Sequence, residues 1–377
     1  MDTLRSQFLL DPSVVFLNHG SFGACPKPVF KTYQRWQLEL ERQPVEFLGR
    51  RLDDLLQEAM RSLAAYVNAD AEDMIFAQNA TTGVNMVARS LPLQPGDEIL
   101  TTDHEYGACM NTWAYVSERT GAKIVQRPIA LPVTTPDDFV EQFWAAVTPR
   151  TKVIYLSHIT SPTALIFPIA EIVQRAREAG IFTVIDGAHA PGQIPVDLKA
   201  LDADFYAGNC HKWLSAPKGS GFLYVHREHQ ALIQPLVVSW KQGEAFHLMH
   251  NTQGTRDPAA YLSVPAAIAF QRENDWDIVR SECHRLAAQT VQAICELTQL
   301  PPIADDSWFG QMATIPLPPC DENEVKRRLY DAYHIEVPVF RWKDRPYLRA
   351  SFQGYNTTED AERLIAAIGD IFALKQG

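Results

Sequence analysis

The sequence predicts an α/β fold built on a mainly parallel sheet with helices on both faces. From about residue 55 onward, helix-period and strand-period stretches alternate, as βαβ units require. The strand-like stretches, such as KVIYLSHI and IFTVIDG, are apolar nearly throughout, which suits strands covered on both sides. After about residue 258 the pattern changes to a long helical stretch, a Pro-rich break (LPPIADD, IPLPPCDEN) and short strands and helices. That change predicts a smaller α+β unit at the C-terminal end.

The elements follow in order. Residues 52–67 carry apolar side chains at helical spacing, and DMIFAQNA reads as a short strand running into a loop. TGVNMVARSL is helix-like, QPGDE a turn, EILTTD a strand and GACMNTWAYVSERTG a helix. AEIVQRAREAG is a helix closed by glycine, and ADFYAGN and GFLYV are further strands. In the last part, strands are expected near 310, 336 and 347, the middle one spanning IEVPVF. Ligands of open α/β sheets bind beyond the carboxyl ends of the strands. Asn79, Asp186 and Asn209 all fall there.

Bulk properties narrow the function. The chain has 377 residues, 46% hydrophobic and 21% charged, with a net charge of −11. This acidic balance argues against a nucleic-acid or anionic-membrane partner, so an anionic ligand needs a local cluster of donors. No apolar run has the length of a membrane helix. The first residues lack a basic region followed by a long apolar one, so no signal peptide is expected. The six cysteines are scattered without a CxxC, which reads as reduced thiols of a cytoplasmic protein, with no metal site expected.

The chemistry concentrates in Asp186 and Lys212. Pyridoxal phosphate needs a lysine amine to hold its aldehyde and a carboxylate to face its pyridinium nitrogen. Asp186 ends a strand-like run, and Lys212 sits among Cys210, His211, Trp213 and Leu214, not on a solvated face. A desolvated lysine amine has a lowered pKa and is a competent nucleophile. The bland readings are a helix-capping aspartate and a surface lysine. His189 is placed to meet the phenolic oxygen, although alone it would be a structural histidine. The strand-to-helix segment QNATTGVN suits a phosphate, although alone it would be a plain helix cap. Arg349, in PYLRASFQ, has the chemistry to clamp a carboxylate with two parallel hydrogen bonds.

These motifs make the chain resemble fold-type I pyridoxal-phosphate enzymes of the class-V aminotransferase family over nearly its whole length. FLNHGSFGACPKPV, DHEYGA, GTRDPAAYLSVPAAIAF and LRASFQGYNTTEDAERL resemble the isopenicillin N epimerase-like branch, related to the cysteine desulfurases. The resemblance implies a seven-stranded, mainly parallel sheet sandwiched by helices. It implies a segment 1–15 packed near the small domain, a large cofactor domain 16–257 and a small domain 258–377. It gives Lys212 and Asp186 the roles above, and His189, with Tyr106 stacked on the ring, completes the catalytic set. Ala80, Thr81, Thr82 and His211 match phosphate contacts, and Asn209 falls where a serine is common. Arg349 matches the binder of the substrate carboxylate, and Asn18, His19 and Arg256 are expected to line the substrate. Thr255 matches a phosphate contact donated by a second subunit, which implies a homodimer. Ser161 stands where many relatives have asparagine. Desulfurases carry a nucleophilic cysteine shortly before that arginine, whereas HIEVPVFRWKDRPYLRAS holds none and Cys320 lies well upstream.

The expected substrate is an amino acid, with Lys212 as base at its α-carbon. Return of the proton on the opposite face gives epimerisation, the first expectation, with Tyr106 or the Asn18–His19 segment as the second acid. Loss of a β-substituent gives a C–S lyase, the alternative, which needs neither a second acid nor a catalytic cysteine. Transamination stands third. A cofactor-binding protein without catalysis fits poorly with an intact Lys212, Asp186 and Arg349.

Overall fold

The structure is a computed structural model that describes residues 2–374. Met1 and residues 375–377 of the expected terminal segments lie outside the described residues. Strand β1 is Val15–Phe16. The central sheet comprises β2 (Met74–Ala77), β3 (Glu98–Thr102), β4 (Lys123–Arg127), β5 (Thr151–Ser157), β6 (Phe182–Gly187), β7 (Phe205–Asn209) and β8 (Gly221–Val225). Its order is β2-β8-β7-β6-β5-β3-β4, seven strands as expected. β8 runs antiparallel to both neighbours, and the other pairs are parallel.

The inner strands are largely apolar because each of their faces is covered, whereas the edge strand β4 keeps Lys123 and Arg127. Ile75, Ile99, Val153, Val184, Phe205 and Leu223 pack into one buried cluster with Val84, Val87 and Trp113 from helices Ala80–Ser90 and Gly107–Thr120. Their chain neighbours Phe76, Leu100, Ile154, Ile185, Tyr206 and Phe222 point the other way, into a second and larger core. The larger core continues into the C-terminal part, through Leu286, Ile294, Ile315, Leu348 and Leu364.

In that part β9 (Met312–Pro316), β11 (Val339–Trp342) and β12 (Arg345–Ser351) form an antiparallel sheet ordered β11-β12-β9, with helix Trp276–Thr298 packed on β9 and helix Glu322–Tyr333 on β11. IEVPVF, expected as one strand, is split. Its first residues, β10 (Ile335–Glu336), pair in parallel with β1, and β11 pairs with β12. Pro338 marks the break: it has no N–H to give to a ladder, and its carbonyl accepts from Arg349 N–H at 3.1 Å. No helix among the described residues is long and apolar enough to cross a membrane.

Candidate active site

β2, β6 and β7 run parallel to one another, so Asn79, Asp186 and Asn209 meet at one edge of the sheet. The helix Ala80–Ser90 starts there. Asn79 caps it, accepting from Thr82 N–H at 2.9 Å and from the Thr82 hydroxyl at 3.1 Å. Asn209 Oδ1 accepts from Ala80 N–H at 2.8 Å. Two N–H groups of the first turn are thus spent on the protein, and Gly83 N–H reaches Asn79 O. Only the Thr81 N–H of this turn has no partner among the described residues, at the positive end of the helix dipole. Ala80, Thr82 and Asn209, expected as phosphate contacts, therefore build the cup, while Thr81 has a free donor.

Asp186 is 3% exposed and receives three hydrogen bonds from neutral donors. The Tyr155 hydroxyl donates to Oδ2 at 3.1 Å, the Cys109 thiol to Oδ2 at 3.5 Å and Ala188 N–H to Oδ1 at 2.9 Å. Burial pushes the Tyr155 hydroxyl and the Cys109 thiol up, so both keep their protons. Among the described residues no cationic side chain bonds Asp186. A buried carboxylate needs a cation, and a pyridinium nitrogen is one.

Beside the Asp186 strand end lies Glu105, part of the DHEYGA motif but given no role by the sequence. It accepts from the Thr102 hydroxyl at 2.7 Å and from Ser157 N–H and hydroxyl at 2.8 and 2.6 Å. Burial first, with the charge of Asp186 as a smaller cause, raises its pKa to about 7. Ser157 is the register partner of Asp186, so Glu105 fixes the strand end next to it.

Lys212 is half-buried in the turn between β7 and β8. Burial first, then the Arg349 charge, lowers its amine to about 8. Its Nζ lies 3.2 Å from His189 Nε2. Trp213 Nε1–H donates to His189 Nδ1 at 3.2 Å. Indole nitrogen only donates, so neutral His189 carries its proton on Nε2 and presents a donor toward Lys212. His211 Nδ1–H donates to Ser220 O at 2.9 Å, and burial lowers its pKa to about 4.

The N-terminal segment lies against this turn. A Cβ on Gly23, at φ 72°, would fall 2.0 Å from His211 O, so only glycine fits. His19 was expected at the substrate, but both of its ring nitrogens are taken. Nδ1 bonds the Tyr355 hydroxyl at 2.9 Å and Nε2 the Lys212 carbonyl at 2.9 Å, with burial lowering the pKa to about 3. The ring braces the Lys212 backbone and is no free ligand group. Asn18 Nδ2 donates to Glu336 Oε1 at 2.9 Å, and its Oδ1 accepts from the Ser21 hydroxyl at 2.5 Å.

Arg349 projects from β12 into the same region. Its Nη1 donates to Ser161 O and, at 3.2 Å, to Ser161 Oγ, and Nη2 to Ser21 Oγ at 3.3 Å. Its Nε is buried without a partner, a donor left for an incoming anion. Ser21 and Ser161 are thus part of the site. Ser21 stood unremarked within the FLNHGSFG segment. Tyr106 precedes helix Gly107–Thr120 as its N-cap residue and is 44% exposed.

Thr255 and Arg256 are not brought to this cluster within one chain. Thr255 is exposed, and Arg256 bonds Gln253, the Tyr261 hydroxyl and Asn251 O. All six cysteines are free.

The residues fit pyridoxal phosphate: an unpaired buried carboxylate, a lysine amine made nucleophilic by burial, a helix N-terminus with a spare donor and an arginine with a spare donor. Comparison with known proteins agrees. The family model for class-V aminotransferases matches residues 25–364. An isopenicillin N epimerase from Amycolatopsis lactamdurans is 38% identical, covering 97% of each chain. An L-cysteine desulfhydrase from Arabidopsis thaliana is 30% identical over 95% of this chain and 88% of its own. The crystal structure of a cysteine desulfurase from Escherichia coli superposes with a TM-score of 0.83 at 25% identity, covering 99% of this chain and 98% of the other. The chain belongs to the class-V aminotransferase family and takes its cofactor, pyridoxal 5′-phosphate.

Proposed function

We propose that the protein is an amino-acid epimerase or racemase, acting at the α-carbon of its substrate. The observation that supports this best is the end-to-end likeness to isopenicillin N epimerase. It is joined by a cysteine-free hairpin before Arg349. β11 and β12 close through Lys343 and Asp344, both at positive φ, a two-residue turn with no room for a nucleophile loop.

Pyridoxal phosphate, when bound, supplies the electron sink for the charge left on the α-carbon. The chain's own residues do the rest. Asp186 keeps the pyridine nitrogen protonated. Thr81 N–H and the helix terminus would hold the phosphate end, which His211 could join only with Nε2 protonated because its Nδ1–H is given to Ser220 O, and His189 Nε2–H would donate to the phenolic oxygen. Arg349, steadied by Ser21 and Ser161, holds the substrate carboxylate. Lys212 anchors the cofactor and removes the α-proton from one face. Tyr106 would return a proton on the other face, since His19 and Asn18 are both committed to the protein.

The working unit is a homodimer in which Thr255 and Arg256 reach the partner's site. Exposure of Leu236, Val237, Val238 and Trp240, the last at 96%, supports such an interface.

The test is incubation with single amino-acid enantiomers in deuterated water. Epimerisation or racemisation requires deuterium at the α-carbon together with a change in optical rotation; a retained proton and unchanged rotation refute it. The likeness to an L-cysteine desulfhydrase supports a second reading, β-elimination from cysteine or cystine. Pyruvate and sulfide released without racemisation would establish that reading instead.

A further inference from the structure

A second cluster of ligand groups lies at the opposite edge of the sheet. β8 is antiparallel to β7, so its last residue, Val225, stands beside Phe205, the first residue of β7. The chain then enters a short 3₁₀ turn, Arg227–Leu232, with His226 as its N-cap. Positions i and i+3 eclipse in a 3₁₀ helix, which brings His226 and His229 together, ring centroids 5.8 Å apart. One nitrogen of each ring and one carboxylate oxygen of Glu228 lie within 4.8 Å of one another.

Two observations distinguish this set from a solvated surface cluster. His229 Nε2–H donates to Asp204 Oδ1 at 2.8 Å. A carboxylate only accepts, so the lone pair of neutral His229 is on Nδ1. Asp204 is itself fixed, its Oδ2 accepting from Thr183 N–H at 2.7 Å and from the Thr183 hydroxyl at 2.9 Å. A carboxylate that holds the far nitrogen is the outer partner metal-binding imidazoles carry. Second, His226 Nδ1 is shut off from solvent with no hydrogen-bond partner, 3.8 Å from Glu228 Oε2. Asp202 lies 3.6 Å from His226 Nε2 and is bound by Arg177 Nε at 2.8 Å, which makes it an outer partner too.

We propose that His226, Glu228 and His229 bind a borderline divalent transition ion of the Zn²⁺ class, with water completing the coordination. Two imidazoles and one carboxylate are a nitrogen–oxygen set suited to Zn²⁺. Bond lengths of about 2.1 Å place tetrahedral ligand atoms about 3.4 Å apart, so the set must contract. Glu228, with 73% of its side chain exposed, is free to make that move. The ion ties the exit of β8, through His229 and Asp204, to the entry of β6 and β7, away from Asp186 and Lys212. Its effect is on stability, not turnover.

The test uses the cofactor-loaded enzyme, stripped of metal with a chelator and titrated with Zn²⁺ alone by calorimetry and thermal unfolding. The expected result is one ion per chain and a higher unfolding midpoint. His229→Ala and Glu228→Gln should each weaken binding at least about tenfold, and Asp204→Asn by roughly 10–100-fold. Glu228 is exposed, so its loss cannot be ascribed to misfolding. No binding by the wild type, or equal affinity in wild type and Glu228→Gln, overturns the proposal.

Discussion

Capture of the cofactor by the apo-protein should follow the ionisation of Lys212. Burial and the Arg349 charge bring its amine from 10.5 to about 8. At pH 7 roughly one molecule in ten then carries a neutral, nucleophilic amine, against about three in ten thousand for an ordinary lysine, a gain of roughly 300-fold. The assay mixes apo-protein with excess pyridoxal phosphate and follows the visible band of the bound cofactor from pH 6.5, above the phosphate's own ionisation near 6. The rate should rise about tenfold per pH unit and level off above about 8. In Arg349→Gln the repelling cation is gone, so the inflection moves to higher pH. The same shift appears in stability. The unfolded chain binds more protons between pH 8 and 10.5, so the apo-protein gains stability as pH rises through that window. The gain is up to about 3 kcal/mol, read as the difference from Lys212→Met. A rate inflection near 10.5, or a downward move in Arg349→Gln, would refute the reasoning.

Other outcomes follow from the same geometry. Arg349→Lys keeps the charge but loses the planar fork set by Ser21 and Ser161, so the substrate KM should rise about 10–100-fold while cofactor absorbance is retained. His19→Ala removes the brace on the Lys212 carbonyl and opens a void beside Trp213; chemical denaturation should show a loss of about 2–4 kcal/mol, with KM little changed. Glu105 is raised from 4.5 to about 7, so the folded state binds the extra proton between these values and its stability falls as pH rises across them. Denaturation of Glu105→Gln alongside the wild type should show that slope only in the wild type.

What the sequence made legible was the chemistry carried by residues at strand ends. Asn79, Asp186 and Lys212 sit where alternating elements and their polar exits place them, because strand direction alone fixes the functional edge; Arg349, inside β12, is legible only from its segment PYLRASFQ. The supports behind them were hidden. Tyr155 and Cys109 reach Asp186, and Glu105 reaches Ser157 beside it, only because β3, β5 and β6 lie side by side, and strand order is not written in local pattern. β4, with the sequence KIVQR, went unnoticed because an edge strand is half-exposed and keeps its charges. His19 misled for the opposite reason. A polar residue in a glycine-containing segment reads as a loop open to ligand, whereas its ring is fully buried.

The short parallel pairing of β1 with β10 has a mechanical consequence. It fastens Val15–Phe16 to Ile335–Glu336, and Asn18 adds a bond to Glu336 and a backbone bridge to Ser351. Ser21 is therefore carried on the same piece as Arg349, while Ser161 stays with the loop after β5, so the grip on the carboxylate is set by how the C-terminal part sits against the sheet. Trimming the first twenty or so residues should loosen the grip on substrate and remove the His19 brace on the Lys212 carbonyl, whereas Asn79 and Asp186, carried by β2 and β6, keep their places.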